Sequence, residues 1–129
     1  MTPGTHGSTF GGNFLAATVA KTVIEEVSQI DFLNQVINLG KNLKSQIESL
    51  VSSFPHILEG VRGKGLMLGI KCKQSNIDLC AALREEKLLT VAAGDNILRL
   101  LPPLNINSEH VDFCVSTLKK VLINMDNKK

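Results

Sequence analysis

The run Gly4-Thr5-His6-Gly7-Ser8-Thr9-Phe10-Gly11-Gly12-Asn13 puts four glycines and three hydroxyl side chains into ten residues without apolar periodicity. It cannot supply the apolar face of a helix or strand, so any core has to be built from residues C-terminal to it. Open backbone, hydroxyl donors and an adjoining helix start also suit a phosphate group. By its residues alone the run fits a flexible terminus equally well. No Gly-Lys-Ser/Thr comes after it, as in a Walker A loop, and no strand precedes it, as in a dinucleotide fingerprint.

Behind the run, Asn13 is a helix cap, and Ala16, Ala20, Val23 and Val27 recur at helical spacing. The alanines on that face would let another helix approach closely. Ser28 to Asp31 interrupts the pattern. Phe32, Val36, Leu39, Leu43, Ile47 and Leu50 then form a second, longer stripe, which Ser52-Ser53-Phe54-Pro55 ends, since the residue before a proline disfavours helix. Gly40 sits awkwardly in its middle.

Ile57 to Val61 and Leu66 to Cys72 are short, partly alternating apolar runs, predicted as two strands joined by a turn at Gly63-Lys64-Gly65. Ser75 to Lys87 is predicted as a helix, with Ser75 and Asp78 spaced as a capping box. Leu88 to Ala92 and Ile97 to Leu101 are further strand candidates around Gly94-Asp95-Asn96, the second stopped by Pro102-Pro103. Asn107 or Ser108 caps a last helix with Val111, Cys114, Val115, Leu118, Val121 and Leu122 on one face, and the polar tail from Asn124 to Lys129 should fray. The order helix, helix, strand, strand, helix, strand, strand, helix predicts an α+β fold, a small and largely antiparallel sheet covered by helices.

Composition removes several function classes. A net charge of +2 without a basic block, and without Trp or Tyr, argues against nucleic acid as a partner. No apolar run is long enough for a membrane span, and the start lacks the pattern of a signal peptide, so a cytoplasmic location with no membrane partner is the expectation. Cys72, Cys80 and Cys114 form no C-x-x-C pair and read as structural thiols in a reducing compartment. No His, Cys or carboxylate cluster has metal-ligand spacing, and His6 stands alone.

Three segments, Gly4 to Asn13, V-R-G-K-G-L-M-L-G (Val61 to Gly69) and L-R-L-L-P-P-L-N-I (Leu98 to Ile106), together resemble the class III pyridoxal-phosphate aminotransferases. The likeness runs over about residues 3 to 123 and is greatest to the acetylornithine branch, with the ornithine branch next. It implies the C-terminal portion of a fold-type I enzyme. Residues 1–12 would be an extended phosphate clasp, and residues 13–129 a small domain with a leading helix. The cofactor would be pyridoxal 5'-phosphate, and the partners a large domain, a second subunit, and small amino and oxo acids. The resemblance assigns Thr9 a hydroxyl bond to the cofactor phosphate and places Ser8 beside it, near cofactor or substrate. It assigns Arg99 the substrate carboxylate. Phe14 departs from the family, which usually has proline there, a residue suited to the first helical turn.

Two residues read differently without the resemblance. Arg99, between Leu98 and Leu100, would be a surface strand arginine paired with Asp95; its paired donors also match a carboxylate. Lys64 has the look of a Schiff-base nucleophile, but such a lysine needs burial or a cationic neighbour to lower its pKa, and a hairpin turn is solvated. None of the eleven lysines matches the family's cofactor lysine, so the chain alone is expected to have no catalytic residue and no transaminase activity. The rival expectations are a split or degenerate non-catalytic module that binds a partner subunit, and a free-standing phosphate-binding domain.

Overall fold

Alternation along two strands sets the architecture. In β2 (Met67–Cys72), Leu68, Ile70 and Cys72 are buried, while the residues between them are not. In β4 (Ile97–Leu100), Leu98 and Leu100 are buried around an exposed Arg99. A computed structural model of the chain describes residues 2–127. The other elements are α1 (Phe14–Val27), α2 (Ile30–Ser53), β1 (Leu58–Lys64), α3 (Asn76–Glu85), β3 (Val91–Ala93) and α4 (Ser108–Asp126), in the order the sequence predicts. The strands form one antiparallel sheet in the order β1-β2-β4-β3.

Helices cover one face of that sheet. Leu43, Ile47 and Leu50 of α2, Leu79, Cys80 and Leu83 of α3, and Val111, Leu118, Val121 and Leu122 of α4 join Leu68, Ile70, Leu98 and Leu100 in a single apolar cluster. The opposite face, with Arg62, Gly69, Lys71 and Arg99, stays open, because residues paired across antiparallel strands share a face.

Gly40 finds its reason here. A Cβ built on it would lie 2.6 Å from the carbonyl oxygen of Gly65, so α2 passes the β1–β2 turn backbone to backbone. That turn is Gly65-Leu66, one residue later than predicted, since Lys64 pairs with Met67 and belongs to β1. Gly65 takes φ +57°, a conformation glycine adopts without penalty, and Leu66 is buried.

Three further expectations shift at element ends. The Ser75 side chain accepts from the Asp78 N–H at 3.2 Å, the cap half of the expected box. Leu88 is not strand: Lys87 turns left-handed at φ 65°, and the amides of Lys87 and Leu88 close on the carbonyls of Arg84 and Leu83. That is a Schellman exit from α3, and it leaves β3 only three residues. α4 continues through Asp126, where fraying was expected, and the last part of that expected tail, Lys128 and Lys129, lies outside the described residues. Its cap is Asn107, whose side chain accepts from the His110 amide while His110 Nδ1 accepts from the Asn107 amide, both at 3.2 Å.

The chain divides into two compact units, one up to Asn34 and one from Gln35 onward. The apolar cluster lies wholly in the second. In the first, α1 has no buried residue, and the Ala16, Ala20, Val23 and Val27 face expected to receive a helix is exposed apart from a partly buried Val27. No described helix is long and apolar enough to cross a membrane.

Candidate functional site

Arg99 owes its position to the pleat. Leu98 and Leu100 are 0% and 4% exposed, so the side chain between them has to leave by the other face. There it lies opposite Gly69 of β2 and Val91 of β3. Gly69 has little room for anything larger: a Cβ would come within 2.9 Å of the Ile97 side chain. The guanidinium has no ion pair and no hydrogen bond among the described residues, leaving its fork of donors free for a carboxylate.

Asp95 is not its partner. The Lys71 ammonium donates to the Asp95 carboxylate and to the Asp95 carbonyl, each at 2.6 Å, and Arg62 stands 3.9 Å away on the other carboxylate oxygen. The Lys71 hydrogen bond, with the charges of Lys71 and Arg62, holds the Asp95 carboxyl below the usual carboxylate range. Lys71 takes this place because it lies across the sheet from Ile97, two residues beyond Asp95. Sequence spacing offered Asp95 to Arg99; the strand register gives it to Lys71.

Ser8 and Thr9 belong to the first unit and Arg99 to the second. The Ser8 carbonyl accepts from the Gly11 amide at 3.2 Å, and the Phe10 carbonyl from the Asn13 amide at 3.1 Å. The Asn13 side chain then accepts from the Ala16 amide at 3.0 Å and starts α1. Gly12 carries φ +77°, where a side chain would be strained. The hydroxyls of Ser8 and Thr9, and the amides of Thr9 and Phe10, are exposed and have no hydrogen-bond partner among the described residues. No acidic residue occupies the first turn of α1, so nothing there opposes the attraction of a helix N-terminus for anions. Two hydroxyls, two open amides and a helix start thus lie within a short stretch of chain, all of them groups of the kind that hydrogen-bond to anions.

The remaining candidates are quiet. His6 is exposed, and no group of three or more His, Cys, Asp or Glu among the described residues could hold a metal ion. Lys64 is an exposed strand end, without the burial an amine nucleophile requires. All three cysteines are free. Burial pushes the Cys114 thiol up to about 11 and raises Cys72 as well, so both stay protonated at neutral pH.

Comparison with known proteins adds to this geometry. The model of the family "Aminotransferase class-III" matches residues 1–122. An acetylornithine aminotransferase of Mesorhizobium japonicum is 40% identical over 119 residues, covering 92% of this chain and 30% of the relative. One from Bacillus subtilis is 43% identical over 122 residues, covering 95% of this chain and 31% of the relative. Among solved structures, acetylornithine aminotransferase from Elizabethkingia anophelis superposes with a TM-score of 0.83 at 36% identity, over 96% of this chain and 33% of its own. Ornithine delta-aminotransferase of Plasmodium falciparum gives a TM-score of 0.86 at 30% identity, over 100% of this chain and 34% of its own. The chain thus spans about 30% of the length of the curated relatives it matches.

Proposed function

The chain belongs to the class III aminotransferases, and we propose that it acts as the C-terminal part of an N-acetylornithine:2-oxoglutarate aminotransferase. Class III aminotransferases use pyridoxal phosphate, which when bound supplies an electron sink for breaking and making bonds at the amine-bearing carbon. On this reading Thr9 donates its hydroxyl to a phosphate oxygen and Ser8 lies beside it. The segment up to residue 12 works as a clasp on the cofactor of a second subunit. Arg99 receives the substrate carboxylate through paired N–H donors and so fixes the orientation of the reacting carbon. The reactive lysine comes from a large domain outside this sequence, and the assembled enzyme works in the cytoplasm.

One observation carries the reading: Arg99 stands free on the open sheet face, unclaimed by Asp95, in a chain 40–43% identical to acetylornithine aminotransferases. The test is reconstitution. The chain is co-expressed with the large-domain portion of the Bacillus subtilis relative and supplied with pyridoxal phosphate. Visible absorbance of protein-bound cofactor and amino transfer from N-acetylornithine to 2-oxoglutarate are the expected results, with neither from the chain alone. In the active assembly, Arg99→Ala should cost about 1.5–3 kcal/mol in kcat/KM, the range for a hydrogen bond to a charged group. Unchanged kinetics would remove Arg99 from the site.

A second reading keeps the association and drops the chemistry. Phe14, Leu15, Val19, Val23 and Ile24 leave α1 with a broad exposed apolar surface, which suits a non-catalytic subunit-binding module. A stable coloured complex without turnover would favour it.

A further inference from the structure

Arg99 faces outward only in the observed register. Side chains alternate with a period of two along a strand, so a slip of one residue would drive Arg99 into the apolar cluster and expel Leu98 and Leu100. The ladder around it is short, with three pairs between β3 and β4 and four between β2 and β4. The turn between β3 and β4 is itself strained: Asp95 and Asn96 are consecutive non-glycine residues at φ 58° and 52°.

Two side-chain amides answer that strain. The Asn96 NH2 donates to the carbonyls of Cys72 at 2.7 Å and Gln74 at 2.8 Å, and its oxygen accepts from the Asn76 amide at 2.9 Å. The Asn96 carbonyl accepts from the Cys72 amide at 3.0 Å. Asn76, only 6% exposed, donates in turn to the carbonyls of Ala93 at 3.0 Å and Ile97 at 2.9 Å. The two asparagines thus tie the turn to the end of β2 and the start of α3. Each bond names a backbone position: in a slipped strand the Ile97 carbonyl would no longer meet Asn76, nor Asn96 the end of β2.

We propose that Asn76 and Asn96 are positioning residues, whose interlocked amides hold β4 in the register that sets Arg99 on the open face. Its functional meaning rests on Arg99 being the carboxylate clamp; the lock itself is measured without any substrate.

The experiment is NMR and amide exchange on the full 129-residue chain. Asn96→Gly keeps the left-handed backbone free of strain and deletes the three side-chain bonds. The expected result is loss of the Gly69–Arg99 and Val91–Arg99 cross-strand contacts. Protection at Leu98 and Leu100 should fall at least about tenfold, against less than about threefold at Leu118 and Leu122 of α4. Asn96→Asp should behave likewise at neutral pH and recover β4 protection as the new carboxyl is protonated and regains a donor, a pH profile that a space-filling side chain would not produce. If Asn96→Gly does not fold, Asn76→Ser, which leaves the Ser75 cap in place, carries the same expectation. Parental contacts with β4 protection within about twofold would overturn the lock, as would an equal loss in α4 and β4, the mark of general destabilisation. A failed reconstitution would remove the carboxylate role of Arg99 and leave this measurement as it stands.

Discussion

The two units of this chain divide its labour unevenly. From Gln35 onward the chain has a core, a sheet and three helical contributions to one apolar cluster. Up to Asn34 it has hydroxyls, glycines and a helix with no buried residue. Burial of apolar surface is the main favourable term in folding, so the second unit holds its own stability, while the first offers chemical groups without a matching core. The difference separates the residues that build a core from those that offer hydrogen-bond donors to solvent.

The sharpest way to break that contrast is a pair of truncations at the side-chain level. Leu83, fully buried in α3, should cost about 2–5 kcal/mol as Leu83→Ala, whereas Val23→Ala on α1 should stay within about 0.5 kcal/mol. Urea unfolding of both variants reads the difference; comparable losses would mean that α1 contributes to the fold as much as the core does.

Thiol ionisation at alkaline pH should act on the second unit, because it holds every cysteine. The thiol of Cys114 is pushed from 9.0 to about 11 by burial, so its stabilising contribution is complete below pH 9 and is lost as pH rises toward 11. The loss should approach about 2 kcal/mol at the upper end. Unfolding midpoints across that interval, compared between the parent chain and Cys114→Ala, check it; identical slopes would remove the thiol as the cause.

A smaller loss than at Leu83 or Cys114 is expected at Gly40. Alanine gains up to about 1 kcal/mol of helix propensity over glycine, while forcing a methyl against a fixed backbone costs about 1–3 kcal/mol. With the Gly65 carbonyl only 2.6 Å from the added atom, crowding wins, and Gly40→Ala should lower stability by about 1 kcal/mol in thermal melts. A more stable variant would show that α2 and the hairpin can part without penalty.

Much of this fold is legible in the sequence. Periodicity, with turn and cap residues as punctuation, gives the order of the eight elements among the described residues, because stripes of period 3.6 and alternation of period 2 are direct prints of burial. What escaped were features decided by backbone meeting backbone. The hairpin turn could not be located among Gly63, Lys64 and Gly65, since three glycine-rich registers look alike until Leu66 is known to be buried. Leu88 looked like strand because a Schellman exit through a lysine carries no glycine to announce it. Gly40 looked like a defect because its partner lies far away in sequence. At the site, the outward orientation of Arg99 came from alternation, and its freedom from Asp95 did not, because that depends on which residue of β2 stands beside Ile97. Asn76 and Asn96 were legible only as a helix start and a turn residue; their meeting across the fold was not.

The placement of Arg99 between Leu98 and Leu100 has a consequence for anyone reading variants of this protein by phenotype. Outward-facing and core-facing side chains alternate there with no spacer between them. A change at either buried leucine would unsettle the strand that carries the arginine, so its effect would reach the same face. Only an assay that counts folded molecules alongside working ones would tell a lost handhold from a lost wall.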